Sequence, residues 1–508
     1  MNQRNLFLFG FILIKFILQY LLIDSGYDLH RDEYLHLDQA HHLAWGFISV
    51  PPLTSWFSYL IYLLGNSEFW VKFFPALFGA LTILLVWKAI ERLGGSLYAQ
   101  SLAAICLIFS SMARLNILFQ PNSLDILAWT FVFFALLCFI QTGKNKWLYW
   151  LGIGIGFGFL NKYNIAFQVL GLFPALLLTS ERKIFKIPHL YTAFGLAFLI
   201  ALPNLMWQVK NDFPVLWHMR MLSQYQLVNV NRLDFLTDQF FFFFGSSFVL
   251  ILALISYFTY PSFRKYQVFF WAMIFTLAIF TYFKAKSYYA IGLYPIHYAF
   301  GAIYLSYLLR KNWGKYLKPV MMIIPIILFI LTAPMTYPLG DAEYLKGVQS
   351  RHPDLMENRW EDGELHDLPQ DFADMLGWKE LAEKVDLAYS KAPADEYTII
   401  MCDNYGQAGA INFYTKTKGL RAVTMNADYV NWIDLSRKIK NVILVRDAYD
   451  AVSEREISFF EKSEEIGTIT DPNAREYGTI IQLLLGAKTD INGILASEIE
   501  EKRAELIE

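Results

Sequence analysis

Residues 147–180 read WLYWLGIGIGFGFLNKYNIAFQVLGLFPALLLTS. This apolar stretch is longer than the ~20 residues one helix needs to cross a bilayer, and Asn161-Lys162-Tyr163-Asn164 divides it. It reads as two short helices hinged on a tight turn, or as a re-entrant pair. Gly152, Gly154, Gly156 and Gly158 form overlapping small-xxx-small pairs, which let membrane helices approach closely. A dinucleotide-binding loop would need a strand before them. Lys162 in such a turn is a candidate functional group, because ionisable residues near a span are costly to keep.

Working outward, apolar runs of span-like length lie at 5–23, 70–90, 97–113, 123–140, 190–208, 236–259, 267–283, 287–309 and 317–336. With the divided stretch they predict a polytopic α-helical membrane protein of about 11 spans in residues 1–338. The first run is no cleavable signal peptide, since Lys15 and Gln19 interrupt it and no small-residue cleavage site follows. Composition agrees: 56% of the 508 residues are apolar and 17% charged, against roughly a quarter charged in a soluble chain. A formal charge of −2 lacks the basic excess of a nucleic-acid binder, and three cysteines make no disulfide framework. No P-loop occurs, so nothing supports ATP-driven pumping.

Basic residues set the orientation. Lys88, Arg92, Lys144, Lys146, Arg182, Lys183, Lys186, Arg264, Lys265, Arg310, Lys311, Lys315 and Lys318 fall in loops on the side of Arg4, while the short loops opposite hold Arg114, Lys162, Lys284 and Lys286. The N-terminus is therefore expected in the cytoplasm. Eleven spans would then place residues 339–508 outside, and a bacterial inner membrane is the expected location. That tail reads as an α/β domain with a largely parallel sheet. Its expected helices are Glu380–Tyr389 and Gly406–Tyr414, and its expected strands Tyr397–Cys402, Val442–Val445 and Thr479–Leu484.

Two outside loops are long, 24–69 and 210–235. The first carries His30-Arg31-Asp32-Glu33-Tyr34 directly after span one, then a half-apolar stretch to Trp45. Asp32 suits the start of an amphipathic helix at the membrane surface, with His36, His41 and His42 on its polar face. Two adjacent carboxylates can supply a general base and a partner for it; equally, they can merely cap the helix. Asp125 opens span four on the same side, with Asn122 and Ser123 able to cap there. His218, Arg220 and Arg232 belong to the second loop.

Several segments in order along the chain resemble one family. They are Asp32-Glu33, Gly46 followed by Pro51-Pro52-Leu53, Arg114 to Asp125, Lys162-Tyr163-Asn164, Pro203-Asn204-Leu205-Met206-Trp207, Lys286-Ser287-Tyr288-Tyr289 and Leu293-Tyr294-Pro295. The tail adds Gly377-Trp378-Lys379-Glu380-Leu381-Ala382 and Asn404-Tyr405-Gly406-Gln407-Ala408-Gly409-Ala410. Together they resemble glycosyltransferase family 39 of the GT-C superfamily, the dolichyl-phosphate-mannose–protein mannosyltransferases and aminoarabinose transferases. Many relatives carry an acidic residue, His or Lys before the Pro-Pro pair; this chain has Ser49-Val50. The resemblance implies a GT-C bundle with an extracytoplasmic tail and an inverting transfer from a polyprenyl-phosphate sugar to a hydroxyl on protein, lipid or glycan. It implies Asp32 and Glu33 as the catalytic pair, with Asp125 and His218 supporting the acidic site.

A departing lipid phosphate needs cations at the membrane surface, and Lys162, Arg220, Lys284 and Lys286 are the candidates; their alternative is to snorkel among phospholipid headgroups. No cofactor is required, although Asp32, Glu33, Asp125 and His218 could hold a divalent cation. The main rival is a transporter or flippase of lipid-linked intermediates, which predicts charges near helix midpoints and pseudo-symmetric halves. An assembly subunit with a decayed site is a third reading.

Overall fold

The computed structural model describes residues 2–225, 227–310, 313–352, 358–450 and 452–505. Each of the expected apolar stretches is helical. Among the described residues six helices are individually long and apolar enough to cross a membrane: Gln3–Leu21, Glu68–Arg92, Pro121–Thr142, Pro188–Lys210, the 261–282 segment and Gly314–Thr336. Two bent pairs, 165–186 and 232–259, would bring the number to eight. The rest of the expected eleven, Leu97–Ile108, Lys146–Asn161 and Pro295–Leu308, are shorter than a full span. The last is short because residues 287–293 wind as a 3-10 turn ahead of Pro295, where a single helix over 287–309 was expected.

Local chemistry sets these boundaries. Helix Pro121–Thr142 starts with proline at its first position, where no N–H is needed, and ends on Gly143 in the left-handed conformation (φ +63°). The glycine-rich helix packs as its pattern predicts. A Cβ on Gly152 would sit 2.3 Å from the Ala193 carbonyl oxygen, and one on Gly156 would sit 2.8 Å from Ile200 Cβ. Helix Pro188–Lys210 therefore lies tight against Lys146–Asn161, and these glycines are helix contacts.

The tail forms a five-stranded sheet: β1 (Tyr397–Cys402), β2 (Ala422–Thr424), β3 (Ile439–Arg446), β4 (Phe460–Thr468) and β5 (Ile480–Ala487). The order is β2-β1-β3-β5-β4, with β1 parallel to β2 and β3 but β5 antiparallel to β3 and β4. The sheet is thus mixed, correcting the expectation of a largely parallel one. β4 is an edge strand whose residues 461–465 are all exposed, EKSEE, so it carries no alternating apolar pattern. Charged edges of this kind block sheet-to-sheet pairing. The expected helices are present as Trp378–Lys391 and Tyr405–Tyr414.

Loop 24–69 joins tail to bundle. Its helix runs only over Arg31–Asp38, followed by a 3-10 turn to His41 and a second helix at Leu53–Leu63. The first helix is buried between bundle and tail; His36 is buried with it, while His41 and His42 are exposed. One core unites Tyr27, Tyr34 and Leu35 of the loop with Trp378, Ala408 and Ile411 of the tail. Polar ties reinforce it: Asp28 accepts from the Trp378 and Lys379 amides at 2.9 and 3.1 Å, and Asp38 accepts from Tyr429 Oη at 2.6 Å and Asn412 at 2.7 Å. The chain boundary at 338/339 is therefore not a boundary in packing.

Candidate active site

The site is built on the short helix Arg31–Asp38. His30 is its N-cap and Glu33 closes the capping box by accepting from the His30 amide at 2.8 Å. Capping thus falls to His30 and Glu33 and leaves the Asp32 carboxylate available.

Glu33 is fully buried and fully occupied. Besides the His30 amide, it accepts from the Phe119 amide at 2.6 Å and from Lys72 Nζ at 3.0 and 3.3 Å. Lys72 is itself buried, so this is a desolvated ion pair that ties the loop to helix Glu68–Arg92. The sequence had hidden Lys72 inside an apolar run.

Asp32, one residue earlier, is half-buried and faces the other way. Tyr405 Oη donates to its Oδ1 at 2.8 Å, and Gln120 Nε2 donates to Oδ2 at 3.3 Å. Burial raises its pKa, but the charges of His30 and Arg31, the Tyr405 hydrogen bond and His36 outweigh that and hold it below the usual carboxylate value. At neutral pH Asp32 is an anion with lone pairs to spare.

A polar chain leads from Asp32 to a lysine. Asn122 Nδ2 donates to Gln120 Oε1 at 2.8 Å, and Lys162 Nζ donates to Asn122 Oδ1 at 2.7 Å. The ammonium also lies 4.0 Å from the ring centroid of Tyr289 and 5.4 Å from that of Tyr288. Burial lowers the Lys162 pKa to about 8, with Lys286 adding to the effect and Asp125 opposing it. Asp125 is buried and held by Trp129 Nε1 at 2.9 Å and Asn164 Nδ2 at 2.8 Å, which shape the turn that presents Lys162.

Of the remaining candidates, Lys286 lies near enough to act on both Lys162 and His218. Lys284, with φ +54°, donates to the Val228 carbonyl at 3.2 Å, and Lys286 faces Glu361 at 3.9 Å. His218 and Arg220 lie on helix Pro214–Tyr225, His218 half-buried and its pKa lowered first by burial and then by Lys286. Arg114 pairs with Asp371 at 3.4 Å. Among the described residues no three His, Cys, Asp or Glu side chains gather to hold a metal ion. Glu33 and Asp125 already spend their oxygens on protein donors, so Asp32, Glu33, Asp125 and His218 do not fit a shared cation.

Sequence reasoning missed Gln120, Asn122, Arg31 and Tyr405 as site residues. Tyr405 stood in the quoted Asn404–Ala410 segment, but only the fold brings it across 373 positions to Asp32.

A family model described as dolichyl-phosphate-mannose–protein mannosyltransferase matches residues 49–207, beginning after the Asp32 helix. The lipid A galacturonosyltransferase RgtD of Rhizobium johnstonii is 26% identical over 241 residues, covering 43% of this chain and 50% of that protein. The match thus spans about half the length of this curated relative. ArnT from Cupriavidus metallidurans bound to undecaprenyl phosphate superposes with a TM-score of 0.62 at 14% identity, covering 93% of this chain and 97% of that one. Its apo form gives 0.61 at 13% identity, with 93% and 96% covered. The ArnT likeness extends over nearly the whole chain, helical bundle and C-terminal sheet domain together. The chain is thus similar to the dolichyl-phosphate-mannose–protein mannosyltransferase family over residues 49–207, and over nearly its whole length it has the fold of the ArnT structures.

Proposed function

We propose that this chain is an inverting glycosyltransferase that moves a sugar from a polyprenyl-phosphate donor to a hydroxyl acceptor at the outer face of a bacterial inner membrane. One observation carries the reading: an ionised, half-buried Asp32 stands at one end of a hydrogen-bonded chain, through Gln120 and Asn122, that ends on the Lys162 ammonium. Base and cation are thereby held apart at a fixed separation, as displacement at a carbon between acceptor and leaving phosphate requires.

In the step, the acceptor oxygen attacks the anomeric carbon while its proton passes to Asp32. The bond from that carbon to the phosphate oxygen breaks, and its electron pair leaves with the lipid phosphate. Lys162 stabilises the departing anion, with Lys286 and Arg220 as further cations on the outer rim. Glu33 acts behind the site by fixing the helix that carries Asp32. The likeness to ArnT with undecaprenyl phosphate supports a lipid-phosphate donor, and that to a lipid A galacturonosyltransferase supports a lipid acceptor ahead of a protein or glycan. None of these relatives is a transporter. The occupied carboxylates support a transfer without a resident metal, so EDTA should leave turnover unchanged.

The test is a panel of undecaprenyl-phosphate sugars offered to purified, reconstituted protein with lipid A as acceptor. Release of undecaprenyl phosphate should require both acceptor and Asp32. Sugar lipid carried across the bilayer without release would overturn the reading in favour of a flippase.

A further inference from the structure

Asp32 is gripped by residues from two distant parts of the chain. Gln120 comes from the bundle, just ahead of helix Pro121–Thr142, and Tyr405 comes from the tail. Tyr405 is the first residue of helix Tyr405–Tyr414, and its backbone is clamped. Asn404 caps that helix, with Oδ1 accepting from the amides of Gly406 and Gln407 at 2.9 and 3.1 Å. Gln407 Nε2 in turn donates to Asp447 at 2.5 Å and to Glu476 at 2.6 Å.

The ring is held as firmly as the backbone. The Arg31 guanidinium lies 4.4 Å from the Tyr405 ring centroid. The two helices meet at glycines: a Cβ on Gly406 would sit 2.6 Å from Arg31 Cγ, and one on Gly409 would sit 2.6 Å from Tyr34 Cβ. Only hydrogen at those positions lets the tail come near enough for the phenol to reach the carboxylate.

We infer that Tyr405 is a positioning residue of the transfer reaction, whose hydroxyl fixes the Asp32 carboxylate toward the acceptor so that the tail completes the catalytic centre. The inference rests on the reading of Asp32 as the base. With Tyr405 on Oδ1 and Gln120 on Oδ2, each oxygen keeps a lone pair for the incoming hydroxyl proton. Without the phenol hydroxyl no other side chain among the described residues donates to Oδ1, and the neighbouring Arg31 guanidinium draws the carboxylate out of place. A base misplaced by about 1 Å can cost roughly 100-fold in rate.

Tyr405→Phe removes one oxygen and keeps the ring that Arg31 covers. The experiment compares full-length wild type, Tyr405→Phe and Asp32→Asn. Each is reconstituted with undecaprenyl phosphate carrying a hexuronate, an aminopentose or mannose, and with lipid A as acceptor. For Tyr405→Phe we expect kcat lower by about 10- to 100-fold, with donor KM, undecaprenyl phosphate affinity and melting temperature unchanged. A kcat within twofold of wild type overturns the inference. So does a loss in which KM rises and the melting temperature falls together, because that marks a structural role. Turnover by Asp32→Asn would instead overturn the base reading and take the inference with it. An inactive Asp32→Asn beside a fully active Tyr405→Phe sinks the inference alone.

Discussion

Asp32 and Glu33 are chemically alike and adjacent, yet they occupy opposite kinds of pocket. One residue along a helix turns a side chain by about 100°. That turn directs Glu33 into the bundle, against Lys72 and the Phe119 amide, and Asp32 toward the tail, against Tyr405 and Gln120. The Glu33 pocket is sealed, and its oxygens are filled by four bonds from three donors. The Asp32 pocket is half-open, its two bonds are both neutral, and capacity is left over. A carboxylate with every lone pair committed can organise structure but cannot take a proton without breaking something. Function in this loop follows from which neighbour each acid meets.

The strongest way to break that comparison is Asp32→Asn. The amide keeps the shape and loses the basicity, so turnover should fall by about 1,000-fold or more, roughly 4 kcal/mol of transition-state stabilisation. The melting temperature should stay within a few degrees. Near-wild-type rates would mean that Asp32 is not the base.

Glu33→Gln should show the reverse pattern. It leaves Lys72 charged and buried with a neutral partner, and breaking such a pair costs about 3–5 kcal/mol. Thermal unfolding in detergent reads this directly, and the double variant Glu33→Gln/Lys72→Met should recover most of the loss. If Glu33→Gln melts like wild type, the sealed pocket is not what holds the loop.

Lys162 extends the contrast to the cations. Lys72 is spent on Glu33, whereas Lys162 gives one bond to neutral Asn122 and keeps donors free. Lys162→Met should weaken undecaprenyl phosphate binding by about 10- to 100-fold, as expected for a lost charged hydrogen bond of ~1.5–3 kcal/mol. Lys284→Met, whose lysine ties down the Val228 carbonyl, should change binding less than threefold. Equal effects of the two would show that the outer rim acts only as diffuse positive charge.

How much of this was legible beforehand follows from the range of each interaction. The spans, the division at Lys162 and the parallel strands β1 and β3 are written in local apolar patterns, and they were readable. β4 was not, because an edge strand faces water and is rich in charge. The position of Asp32 on a short acidic helix was readable too, but not its difference from Glu33. That difference depends on Lys72, which reads as a blemish in an apolar run, and on Tyr405, which arrives from 373 positions away. The same limit applies to the helix bearing His36: its pattern suited a surface helix, and only the docked tail turns that surface into an interior.

The smallest expected effect is the most specific, because pH separates the base from the cation. Asp32 sits below its ordinary value of 3.8, so it stays ionised through the whole physiological range and contributes no acid limb to kcat/KM near neutrality. Burial lowers Lys162 to about 8, so the free enzyme begins to lose its ammonium just above physiological pH. The sign follows directly: below about 8 the lysine is charged and attracts the donor phosphate, and above it kcat/KM should fall by up to tenfold per pH unit. Bound phosphate favours the charged lysine, so the same limb in kcat should lie at higher pH than in kcat/KM. Lys162→Arg keeps its charge throughout and should move the alkaline limb beyond pH ~10. A wild-type kcat/KM that stays flat to that pH would remove Lys162 from the donor site while leaving the Asp32 assignment standing.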